Sequence, residues 1–185
     1  MSRSPQLLLA AVVLAPWMTI SARDMQSSQR LGQTREATAK IGEIIAAVSI
    51  YQRADGPQGR RCPHPRARPS ASAGPTPPLD VICHAGPGER CLPTANRATH
   101  GPGIYPAALW SATPMWQAIG FRIAHGHAFH YSIETRDLQD GCAVTVEASA
   151  DLDGDGEHSM IRARATLRRN RAMIDRVWQL DSVLE

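Results

Sequence analysis

Three stretches in the second half of the chain alternate apolar and polar residues with a period of two. In "AFHYSIET", Phe129, Tyr131 and Ile133 share one face, and His130, Ser132 and Glu134 share the other. "CAVTVEA" places Cys142, Val144 and Val146 together. "MIRARATL" sets Ile161, Ala163, Ala165 and Leu167 against Arg162, Arg164 and Thr166. Successive strand side chains point to opposite faces, so each stretch predicts a strand with one apolar side. Strands of this kind form an antiparallel sheet covered on one side only. The tail "MIDRVWQLDSVLE" fits either a last strand or a short helix. Earlier in the chain the period changes. Leu31, Thr38, Ile41, Ile44, Ile45 and Val48 recur at helical spacing and predict an amphipathic helix over 24–52, with Asp24 or Ser27 as its cap. The sheet is the natural cover for its apolar stripe. The expected fold class is therefore α+β: an N-terminal amphipathic helix packed on a small antiparallel sheet. Residues 24–185 make one domain.

Residues 53–114 have neither period. Twelve of the fourteen prolines fall there. Proline removes a backbone donor and fixes φ, so "RRCPHPRARPSASAGPTPP" excludes a regular helix or a central strand. The expectation is a long, irregular Pro/Arg-rich loop, followed by the sheet over 115–185. Arginines 60, 61, 66 and 68 read as a solvated charge run. A net charge of +3 is too mild for a dedicated nucleic-acid binder, and no nucleic-acid partner is expected.

Residues 1–23 hold an apolar block from Leu7 to Ile20 behind Arg3, broken by Pro16. The block is shorter than the roughly 20 residues that span a bilayer. It reads as a secretion signal, cut after the small residues Ser21 and Ala22, or as a membrane-embedded segment if uncleaved. Both readings export the chain, to the inner membrane and periplasm or to a cell-surface filament. Four cysteines agree, because an even set in a secreted chain predicts disulfides. Cys62, Cys83, Cys91 and Cys142 allow three pairings, and the sequence leaves them open. Zinc on these cysteines with His64 and His84 is disfavoured, since the spacing contains no C-x-x-C knuckle.

The stretch "DLDGDGEHS" joins two alternating strands and carries Asp151, Asp153, Asp155 and Glu157. Asp and Gly suit a tight hairpin turn. The same carboxylates are the oxygen donors a calcium ion takes, so the stretch is also a candidate calcium turn. A helix–loop–helix calcium hand is excluded, because its twelfth position, which needs a bidentate glutamate, is Arg162. "HGHAFH" raises a metal-enzyme reading on His125, His127 and His130 with Glu134. On a strand, however, the first two histidines face away from the third. No phosphate loop, nucleophile elbow or H-E-x-x-H motif occurs. No catalytic residue is assigned.

Three segments together resemble the type IV pilin and pseudopilin family. "MWQAIGFRIAHGHAFHYSIET" is similar to the family's tryptophan–x–x–aliphatic–Gly–Phe segment and the strand after it. "CAVTVEASADLDGDGEHSMI" is similar to the hairpin that follows. "QTREATAKIGEIIAAVSIYQ" is similar to its Ser/Thr-x-Glu-Ala helix. The resemblance implies a structural subunit of a type IV pilus or type II secretion pseudopilus. Its partners would be other pilin-like subunits, met through the N-terminal helix, and its role assembly without catalysis. The family's opening pattern is a basic leader ending in glycine, then Phe-Thr-Leu-x-Glu. That pattern is absent, and no glutamate precedes Glu36. The expectation is therefore that the prepilin leader peptidase does not process this sequence. The other readings are a secreted, disulfide-stapled adhesin or ligand-binding module and, third, a metal-dependent enzyme.

Overall fold

A computed structural model describes residues 31–54, 62–63, 70–96, 100–168 and 171–181. The proposed signal or membrane segment and residues 24–30 lie outside these, as do His64 and the four arginines of the loop. The chain clusters into two units, residues 1–35 and residues 36–185. The second holds the sheet, its loops and all of the main helix beyond residue 35.

Helix α1 covers residues 31–53. Ala37, Ile41, Ile44, Ile45 and Val48 are completely buried, and Gln52 nearly so. The spacing of these residues keeps them on one face of a 3.6-residue helix. Leu31, expected on that stripe, is exposed, and Ala37 takes a place on it.

The helix stripe joins a core that the sheet completes. Strands β1 (Ser70–Thr76), β4 (His130–Leu138), β5 (Gly141–Ala150), β6 (Ser159–Arg168) and β7 (Arg171–Asp181) form one five-stranded antiparallel sheet in the order β1-β4-β5-β6-β7. Register carries the apolar alternation across it: Ile133 pairs with Val146, and Val146 with Ala163. Tyr131, Ala148 and Ile161 make the adjacent row, and all six side chains are buried. The alanines at 148, 163 and 165 leave room for the isoleucines of the helix, which belong to the same cluster. The ambiguous tail is strand through Asp181, as part of β7, and its last four residues lie outside the described ones.

The Pro-rich stretch contributes more order than its composition suggests. β1 lies inside it, at the edge of the sheet, and its pairing with β4 shifts register between Ala73 and Thr76. Pro75 falls within that irregularity, where its missing N–H costs no ladder bond. Two short strands, β2 (Leu92–Thr94) and β3 (Ile104–Pro106), pair in parallel, and two short helices follow, α2 (Ala108–Ala112) and α3 (Pro114–Ile119). Gly103 belongs where it is. Its φ is 69°, and a Cβ there would stand 2.5 Å from the Gly86 Cα.

The aromatic residues fill the space between these short elements and the sheet. Trp110 meets Trp116 and Phe121 edge-on. Trp116 donates its indole N–H to Thr76 Oγ1 at 2.9 Å, which ties α3 to the edge strand. Two disulfides close the loops: Cys62–Cys142 across 80 positions of sequence, and Cys83–Cys91 across 8.

Candidate functional site

The structure separates the three histidines of "HGHAFH". His125 is exposed. His127 is buried on the inner side, and its Nδ1–H donates to the Phe129 carbonyl at 2.7 Å. Its Nε2 accepts from the Tyr105 hydroxyl at 2.7 Å, and that oxygen accepts the Trp110 indole N–H at 2.9 Å. Each polar atom in this chain has its partner, as buried polar groups require. Burial pushes the His127 imidazole down to about 4, opposed by its bond to Phe129, and raises the Tyr105 hydroxyl to about 12. This arrangement is a satisfied core network with no open ligand position.

His130 has a different setting. It opens β4 on the face away from the helix stripe, where the sequence pattern predicts solvent, yet it is buried. The disulfide loop covers it. Its Nδ1 lies 2.9 Å from the Pro77 carbonyl and its Nε2 lies 3.5 Å from Cys83 Sγ. Burial, first, and the neighbouring His158 lower its basicity. Burial thus disfavours the charged form of this imidazole.

The Asp-Gly turn lies beside this loop. Asp151, Asp153 and Asp155 each place a carboxylate oxygen within 4.8 Å of the others. The turn also supplies its own hydrogen bonds. Asp151 accepts from the N–H groups of Gly154 (2.7 Å) and Gly156 (3.1 Å), and Asp155 accepts from that of Glu157 (2.7 Å). Asp153 makes a longer bond to the Asp155 N–H, at 3.4 Å. These are side chains mimicking a backbone turn, with Gly154 and Gly156 at positive φ. Asp153, Asp155 and Glu157 are exposed, and the Glu157 carboxylate is not among the three clustered groups. Asp151 is half-buried, with its Oδ2 3.4 Å from His84 Nδ1. The pattern "DLDGDG" suggested the clustering. Nothing in it signalled His84, which comes from a loop 67 positions earlier (151 − 84).

A cavity of about 210 Å³ opens between the disulfide loop and the turn. Leu79 and Ile82, both about half exposed, form its apolar rim, and His84, His130, His158 and Asp151 line it.

Glu36 was legible only as part of the Thr-x-Glu-Ala helix segment. In the structure it is a fastening point. Its carboxylate pairs with the Arg90 guanidinium and accepts the Ala128 N–H at 3.1 Å. One side chain thereby joins α1 to the disulfide loop and to the strand approach.

No described helix is long and apolar enough to cross a membrane. Compared with protein-family models, curated proteins and solved structures, the chain matches none.

Proposed function

We propose that the chain is a pilin-like structural subunit of an exported bacterial filament, a type IV pilus or a type II secretion pseudopilus. The observation that carries this reading is the two-sidedness of α1. One face is consumed by the sheet. The opposite face leaves Ala39, Ala46 and Ile50 exposed at spacings of seven and four, and Ile50 is 66% exposed. Small residues allow helix backbones to approach closely, and a large apolar residue beside them rewards that approach. The occupant this face suits is the same helix of neighbouring copies. Two further points support the reading: the resemblance carried by residues 33–52, 115–135 and 142–161, and two disulfides, which belong to an oxidising compartment.

The test is assembly. Filaments sheared from the cell surface are expected to contain the wild-type protein. Ile50→Arg removes it from that fraction while leaving thermal stability nearly unchanged, since exposed substitutions cost within about 0.5 kcal/mol. Wild-type protein found only as soluble, monomeric periplasmic material would replace the filament reading with that of a secreted binding module.

A further inference from the structure

On the sheet face turned away from α1, strands β4 and β6 present four arginines: Arg136, Arg162, Arg164 and Arg168. Two are already neutralised. Arg162 pairs with Glu147 on the next strand at 2.5 Å, and Arg168 pairs with Asp140 at 3.3 Å. Arg136 and Arg164 are exposed and have no acidic partner among the described residues. Both line a groove of about 380 Å³. Register fixes its shape. Arg136 pairs with Ala143 on β5, and Ala143 with Thr166 on β6. In the neighbouring row on this face, Glu134 pairs with Thr145, and Thr145 with Arg164. The floor on β5 is therefore made of short side chains, between long ones on β4 and β6. Glu134 shares the lining, so the groove carries a net charge of +1 (two arginines, one glutamate).

The β5–β6 hairpin carries the opposite charge at its far end. Asp153, Asp155 and Glu157 are exposed, and none forms an ion pair among the described residues. Asp153 and Asp155 each use only Oδ1 within the turn, which leaves Oδ2 open. From Thr145 in the groove to Ala150, where β5 ends, is five residues, about 17 Å at about 3.4 Å each. A turn fixed to these strands cannot fold back over that distance. It cannot fill its own groove, but it can reach that of another copy.

We propose that the acidic turn of one copy docks in the Arg136 and Arg164 groove of the next. Arginine suits this occupant, because its planar fork takes both oxygens of a carboxylate. Groove and turn are different patches, so the contact is heterologous. It adds copies head to tail and does not close a symmetric pair. It uses the outer sheet face and leaves Ile50 free, so it does not rest on the filament reading. Exposed ion pairs are individually weak and are screened by salt. The contact therefore needs both arginines, and it fills where copies are concentrated.

The experiment uses the exported, disulfide-bonded full chain carrying Ile50→Arg, which silences the helix face. Sedimentation equilibrium at up to about 1 mM chain detects a contact with a Kd of about 1 mM. This parent is expected to associate at low salt. It is expected to be monomeric at about 1 M salt, where the screening length is about 3 Å. Adding Arg136→Glu with Arg164→Glu is expected to weaken association at least tenfold. Adding Asp153→Asn, Asp155→Asn and Glu157→Gln instead is expected to do the same. Both sets are exposed, and melting temperatures close to the parent's show that each variant is folded. Loss of filaments on Ile50→Arg is a separate result, so the two readings stand or fall apart. Mixing the two variants is the decisive step. The first keeps the turn and the second keeps the groove, so together they form a one-to-one dimer that neither forms alone. A parent that is monomeric at low salt overturns the proposal. So does a groove variant that associates like the parent, or a mixture that stays monomeric.

Discussion

His127 shows what a single side chain can impose on the whole. The imidazole accepts from Tyr105 and donates to Phe129, so a second proton has no place to go. Its folded value of about 4 lies below the ordinary 6.5. Between those values the unfolded chain binds a proton that the folded chain refuses. Stability is therefore complete above pH 6.5 and lost as the pH falls through the window toward 4. The full loss amounts to roughly 3 kcal/mol, at 1.36 kcal/mol per pH unit. His130, lowered by burial, acts in the same direction. Denaturant unfolding between pH 7 and pH 5 isolates the effect, because most carboxylates titrate lower. The wild type is expected to weaken steadily below pH 6.5, and His127→Gln to weaken less. A flat wild-type profile would rule out a buried neutral histidine as a source of pH dependence. At this scale the sequence was a partial guide. The spacing of "HGHAFH" sets His127 and His130 on opposite faces, as the structure does. It does not show that His130 is buried on its polar face, because Pro77 and Cys83, which cover it, lie about 50 positions earlier. Glu36 was opaque for the same reason, since its partners Arg90 and Ala128 are 54 and 92 positions away.

Among the elements, those with strong periodicity were legible and those held by context were not. β4, β5 and β6 appear as alternation because each has one face in the core and one outside. The helix appears as a stripe for the equivalent reason. β1 has the sequence SASAGPT, with no large apolar residue to mark a face. Its pairing comes from the free edge that β4 offers, a tertiary cause that no local pattern records. The Asp-Gly turn lies between these cases, since its chemistry was plain and its occupant was not. Backbone N–H groups already engage Asp151, Asp153 and Asp155. The turn therefore keeps its form through its own bonds, and melting in chelator is expected to match melting in millimolar calcium. Asp151→Ala removes the acceptor for two N–H groups and is expected to cost about 2 kcal/mol. Asp153→Asn and Asp155→Asn should cost far less, because asparagine also forms such turns. A calcium-dependent rise in melting temperature that disappears in the two asparagine variants would instead assign the ion to this turn.

At the scale of residues 36–185, the two disulfides do unequal work. Cys62–Cys142 fastens the proline-rich approach to the inner face of β5, where Cys142 is fully buried. Beside it, the Thr135 hydroxyl donates to the Pro63 carbonyl at 3.2 Å, so covalent and hydrogen bonds hold the same point. Cys83–Cys91 holds a short loop whose fold is also enforced by close packing of Gly86 against Gly103. In the chain-entropy account a cross-link stabilises by restricting the unfolded chain, and the effect grows with the loop it closes. Loops of 80 and 8 residues give about 4.5 and about 2.5 kcal/mol respectively. Replacing Cys62 and Cys142 together by alanine is therefore expected to cost about 2 kcal/mol more than replacing Cys83 and Cys91. Denaturant midpoints at constant slope measure the difference. The reverse order would mean that the short bridge acts in the folded state, by holding the loop over His130. The long bridge would then matter little, because Pro63 and the sheet already fix its end. Thiol labelling of exported, unfolded wild-type protein supplies the control: both bridges closed leave no reactive cysteine, and four reactive cysteines would rule out the oxidising compartment along with the entropic effect of the bridges.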